Sequence, residues 1–250
     1  MIKFFRNIRQ RLFTESKFTK YLLYANGEII LVVIGILIAL QINNWNESRK
    51  AKISENELYN QILKDLDLDN KKIQEAIRGF NRTQSMQYHV YQESKGLAKY
   101  DPNVPYRLFR QIRLFELVIK DNYSEKYVMI KNDSIRKQLE LYFKMEDRYR
   151  YVSSGIGTFK NEHLRPSFSK YGIHDTQVFF DNHHLDYWDI VTKNYINYSK
   201  LKQQYGTVEF DQLLFNLGIK TSFALQMLKQ VQEEGNKLRQ TLENELNLSK

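Results

Sequence analysis

The sequence predicts an all-α protein: an N-terminal transmembrane helix, a long stalk helix and an extramembrane helical bundle. Three observations lead there. Ile29–Leu40 (IILVVIGILIAL) carries no charge and no hydrogen-bonding side chain. The chain has only 3 prolines and 10 glycines in 250 residues, which leaves long stretches free for helix. After the apolar run, apolar residues recur every three or four positions, and no segment sustains period-two alternation.

The apolar core alone is too short to cross a bilayer, which takes about 20 residues. Leu22, Leu23 and Ile42 extend it, and Leu22–Ile42 would reach roughly 31 Å as helix. Tyr21, Tyr24 and Trp45 stand near its ends, where ring side chains favour the membrane interface. With Lys20 they form the expected interface anchors. Glu28 is the anomaly. One charge costs about 2.5–3.5 kcal/mol on the insertion scale, while the ten Leu, Ile and Val residues contribute roughly −3 to −6 kcal/mol. Glu28 has two readings. As an edge anchor it shares a helix face with Lys20 and Tyr24. As a contact it shares a narrow sector with Gly35 and Ala39, a small-xxx-small pair that allows close helix approach. A cleaved signal peptide would show an A-x-A-like exit; Ala39-Leu40-Gln41-Ile42-Asn43 lacks one, so the expectation is a retained anchor.

The net charge of +9 is uneven. Residues 1–20 carry six basic residues against Glu15, a net +5, leaving +4 for the rest. By the positive-inside rule the N-terminus is then cytoplasmic and the C-terminal region periplasmic, across a cell inner membrane. The absence of cysteine excludes disulfides, thiolate metal sites and a cysteine nucleophile. No basic cluster marks the later chain as a nucleic-acid surface, so the expected partners are the lipid bilayer and a protein, or self-association through span or bundle. No cofactor is expected.

The domains follow: 1–20, a basic amphipathic arm with Phe5, Ile8 and Leu12 at helical spacing; 21–45, the transmembrane helix; 46–99, the stalk helix; 100–250, the bundle. The stretches MIKFFRNIRQRL and GEIILVVIGILIALQINNWNE resemble the opening of a family of uncharacterised bacterial single-span membrane proteins, a domain of unknown function. KNDSIRKQL (131–139) resembles a later segment of it. The resemblance implies location and architecture and transfers no catalytic residue.

Leu58, Ile62, Leu66, Ile73, Ile77 and Phe80 give the stalk its apolar face, and Gly96 with Pro102 and Pro105 ends it. Tyr106–Lys120 reads as a second helix. A third is capped by Asn132 or Asp133 and runs to about Ser153, where Ser153–Gly157 (SSGIG) breaks it. Thr158–Leu164 is a short helix ended by Pro166. Residues 165–190 are irregular, and Asp189–Tyr205 is helical. Gly206 and Thr207 turn, and Glu209–Leu217 and Ile219–Leu246 close the chain.

Chemistry has few footholds. His174, Asp175, Asp181, His183, His184, Asp186 and Asp189 are ligand types for zinc or iron, which makes a metal-dependent extracytoplasmic enzyme the alternative function. Their spacing matches no ligand motif, and a polar aromatic loop explains them as well. Asp65-x-Asp67-x-Asp69 opens like a calcium loop but has Asn70 and Ala76 where Gly and Glu are required, so Asp65 and Asp69 read as a solvated helix face. SSGIG is not G-x-S-x-G, and no phosphate loop occurs. Catalytic residues are therefore assigned to none. The 17 tyrosines and 15 phenylalanines read as core, with an exposed patch near Phe179–Trp188. The function read from the sequence is a membrane-anchored, sensor-like interaction scaffold.

Overall fold

The computed structural model describes residues 17–112, 116–181, 186 and 192–248. Helices dominate throughout: α1 (Lys17–Ser94), α2 (Ile119–Tyr123), α3 (Asp133–Phe159), α4 (Arg165–Lys170), α5 (Thr176–Phe180), α6 (Tyr198–Lys202) and α7 (Val208–Leu248). Among the described residues no strand forms; one isolated antiparallel bridge joins His174 and Ile196. The chain divides into two compact units, Met1–Leu58 and Tyr59–Lys250.

In the first unit, every side chain from Asn26 to Lys50 is exposed, including the whole apolar run. A helix satisfies its own backbone groups, so this surface needs no polar solvent for its N–H and C=O groups.

The second unit is a bundle of three long helices with one packing rhythm. Buried positions of one stripe on α1 fall at Tyr59, Ile62, Leu66, Asp69, Ile73, Ala76, Phe80, Thr83, Gln87 and Val90, with Asp65, Met86 and Glu93 buried beside it. On α7 they fall at Phe210, Leu214, Leu217, Thr221, Ala224, Leu228, Val231, Leu238 and Leu242. On α3 they fall at Ile135, Leu139, Tyr142, Glu146 and Tyr149. Along these stripes steps of three and four alternate, the spacing that keeps one face turned to its neighbours when helices cross at a shallow angle; Phe143, Ile156 and Phe159 on α3 and Leu225 on α7 are buried as well. The gap in the α7 series is Gly235. A Cβ there would sit 3.1 Å from the Tyr142 ring, so the missing side chain lets α3 and α7 approach. The ends are tied off locally. Gly96 at φ +73 closes α1, with Leu97 N–H donating to the Gln92 carbonyl at 2.8 Å. Asn132 Oδ1 accepts from the Ser134 and Ile135 N–H groups at the start of α3, as the sequence suggested.

Several sequence-based expectations fail here, each for a physical reason. Tyr106–Lys120 is not one helix: a 3₁₀ turn covers Tyr106–Phe109, and α2 starts only at Ile119. Tyr106, Leu108, Phe109, Leu117 and Ile119 are all buried, which one helix stripe could not achieve. Lys160 Nζ also takes the Leu108 and Gln111 carbonyls, at 2.8 and 2.7 Å. Ser153–Gly157 does not break α3, which runs on to Phe159. A π turn, Lys160–Leu164, then leads into α4, so Pro166 falls at a new first turn instead of ending the helix. Gly218 likewise lies inside α7, which is single and continuous. Of Asp189–Tyr205, the described part is helical mainly at α6. Asp65 and Asp69 are buried, not solvated.

Candidate functional site

Two features stand out chemically: the exposed apolar helix, and a set of carboxylates buried in the bundle.

On the helix, Glu28, Gly35 and Ala39 are exposed and share one sector. No atom lies within 4 Å of where a Gly35 Cβ would be, so that face is open. Trp45 is exposed at the far end. Lys20, Tyr21 and Tyr24 lie on helical backbone, but their side chains fall outside the described residues. One helix among the described residues is long and apolar enough to cross a membrane, and none of its most apolar window is buried. A soluble protein rarely leaves so large an apolar patch in water.

The buried carboxylates are the residues that sequence periodicity missed. Asp69 is fully buried between the long helices. Its Oδ1 accepts the Val118 N–H at 2.8 Å, and its Oδ2 accepts the Ile119 N–H and the Tyr142 hydroxyl, both at 3.2 Å. It thus caps α2 from a different element, satisfying N–H groups that have no partner inside a short helix. Burial pushes its carboxyl above the usual range, against the pull of those donors. Asp65, one turn earlier, accepts from the Tyr123 hydroxyl at 2.7 Å and from Asn122 Nδ2 at 2.9 Å. Glu93 gathers the opposite end of α1. It accepts from the Tyr106 hydroxyl at 2.7 Å and the Tyr205 hydroxyl at 2.6 Å, and its Oε1 lies 3.1 Å from His89 Nε2.

Glu146 differs. It is fully buried and its Oε1 accepts from Arg150, at 2.8 Å from Nε. Its Oε2 has no hydrogen-bond partner. Burial raises its pKa to about 7, Arg150 opposes that, and the carboxylates of Asp69 and Asp121 add to it. A folded pKa above the unfolded one means that the native state holds the extra proton between the two. Stability from this group is therefore present below about pH 4.5 and lost as pH rises through about 7. Glu146→Gln, neutral at every pH, should flatten that decline. Thermal melts of the two proteins are expected to converge near pH 5 and separate by on the order of 1–3 kcal/mol at pH 8, the variant being more stable.

The histidine–aspartate set is described only in part. His174 is half-buried on the bridge to Ile196, its ring 5.8 Å from Phe168. Burial lowers its pKa, and Arg110 and Arg165 lower it further. Cations therefore face it, where a metal ion would need carboxylates. Asp175 caps α5 through the Val178 N–H at 2.9 Å. Asp181 and Asp186 are exposed. His183, His184 and Asp189 lie outside the described residues. Among the described residues no three His, Asp or Glu side chains come together as metal ligands. Of the aromatic patch, Phe179 and Phe180 are exposed and meet edge to face, while Trp188 lies outside the described residues.

These features define an all-α protein with an exposed apolar N-terminal helix and a bundle whose buried carboxylates cap and tie its own elements. A model for a family of unknown function (DUF6090) matches residues 28–93, from Glu28 on the apolar helix to Glu93 in the bundle. No curated protein and no solved structure matches the chain.

Proposed function

We propose that the chain is a membrane-anchored interaction scaffold, held in a cell inner membrane by residues 21–45. Its basic arm, residues 1–20, lies in the cytoplasm, and residues 46–250 form a stalk and bundle on the periplasmic side. The observation that carries this reading is the exposed apolar helix, long and apolar enough to cross a membrane and buried nowhere along its most apolar window. The +5 charge of residues 1–20 supports the orientation. The bundle supports a docking role over turnover. Asp65, Asp69 and Glu93 are each taken up by donors from neighbouring elements, which rigidifies the packing rather than leaving groups free to meet a substrate.

Reporter fusions at Lys250 test the orientation. A periplasm-active reporter is expected to work there, and a cytoplasm-only reporter is expected to stay silent. The reverse pattern would invert the topology.

A further inference from the structure

Within the bundle, α1 and α7 run antiparallel in fixed register. Gln84 Nε2 donates to Ser222 Oγ at 2.9 Å, and Lys95 Nζ donates to Asp211 Oδ2 at 2.7 Å. The interval from Gln84 to Lys95 equals that from Ser222 back to Asp211, so Tyr91 stands opposite Phe215 and Tyr88 opposite Gly218 and Ile219. Beneath this strip, Gln87 Nε2 donates to Thr221 Oγ1 at 3.1 Å in the core. Above it the rings are open apart from Tyr91, over which the Lys95 ammonium stands 5.8 Å from the ring centre: Tyr88 and Phe215 are each 61% exposed, Phe223 58%, and Tyr91 and Ile219 46%.

The strip is also poor in charge. Between Gln84 and Ser94 the only Asp, Glu, Lys or Arg is Glu93, which is buried. Between Gln212 and Leu228 the only one is Lys220, one helical turn from Phe223, whose ammonium is turned over the Phe159 ring at the end of α3. That is unusual in a chain with 27% charged residues. Aromatic enrichment with charge depletion is the composition of an interface centre.

We propose that this strip is the contact between two copies of the chain. Three arguments select a second copy. In a two-fold contact, residues near the axis meet their own copies, so an unpaired charge there would face its like; the middle of the strip, at Tyr88, Phe215 and Ile219, has none, and Lys95 at its end is neutralised by Asp211. The four rings alone leave roughly 350–550 Å² open, a large part of the ~800 Å² per partner that a stable dimer buries. Anchoring in one bilayer then raises the effective concentration of the two strips. Only this last argument rests on the membrane reading. A lipid surface fits less well, since it would favour unpaired cations at the rim, and here Lys95 is paired with Asp211.

The absence of cysteine gives a clean test on the full chain in its membrane. Ser222→Cys and Gln226→Cys, each made singly, are expected to give disulfide-linked homodimers under mild oxidation. Tyr151→Cys, on an 82% exposed residue of α3, is expected to remain monomeric. Adding Phe215→Glu to the strip cysteines should cut the dimer yield roughly tenfold or more, with an unchanged circular-dichroism melt. Should that variant melt early, Tyr88→Glu takes its place with the same expected loss. The proposal is overturned if neither strip cysteine links to its own copy, if Tyr151→Cys links as well as they do, or if the glutamates leave the yield unchanged. Crosslinking of the strip to a different protein in place of itself overturns it too. Alkaline extraction of the same samples reads the anchor separately, so a soluble dimer would sink the anchor and spare the dimer.

Discussion

Ile34→Asp combined with Leu37→Asp is expected to release the protein from the membrane. Each aspartate costs about 2.5–3.5 kcal/mol at the centre of a span, and each lost aliphatic side chain removes a further ~0.3–0.6 kcal/mol. Together these exceed the roughly −3 to −6 kcal/mol that the ten aliphatic residues of the run supply, and Glu28 already opposes insertion. The pair Ile34→Leu and Leu37→Ile should change nothing. Fractionation with an antibody against the bundle reads the result. A double-aspartate variant that still pellets with the membrane would mean that something other than the apolar run holds it there.

Asp69→Ala is expected to destabilise the bundle by about 3 kcal/mol. The change strands the Ile119 N–H and the Tyr142 hydroxyl in the buried core and the Val118 N–H at its part-buried edge. An unsatisfied buried donor costs about 1–3 kcal/mol, offset in part because a buried carboxylate is removed with it. Asp69→Asn keeps one acceptor oxygen and should fall between the two, and Tyr142→Phe, which removes one donor, should cost about 1 kcal/mol. Denaturant titration measures each. An Asp69→Ala midpoint within experimental error of the parent would show that the α2 cap contributes nothing.

What was legible in the sequence follows from how locally each feature is encoded. The apolar run declared itself, because twelve consecutive residues without a polar side chain have few other uses. The apolar stripes of α3 and α7 were readable in part, as with Ile135, Leu139, Leu228 and Val231, now buried. Misreadings came where a long-range partner overrode a local signal. Asp65 and Asp69 look solvated by composition, and partners far along the chain, Asn122 and Tyr123 for the first and Val118, Ile119 and Tyr142 for the second, draw them inside. Buried polar side chains at Asp69, Thr83 and Gln87 interrupt the apolar pattern of α1 and mask its full three-four rhythm in the sequence. Gly155, Gly157 and Gly218 look like breaks, yet each sits inside a helix. Pro166 looked like a stop, but the π turn before it resets the backbone. The aromatic strip is not legible in the sequence, because its two halves are far apart along the chain and only the register of α1 on α7 joins them.

The anchor is the claim on which the functional reading stands, and alkaline carbonate extraction of membranes carrying the unaltered chain tests it most directly. The protein should stay in the pellet and leave only with detergent. Recovery of the intact chain in the carbonate supernatant would contradict it.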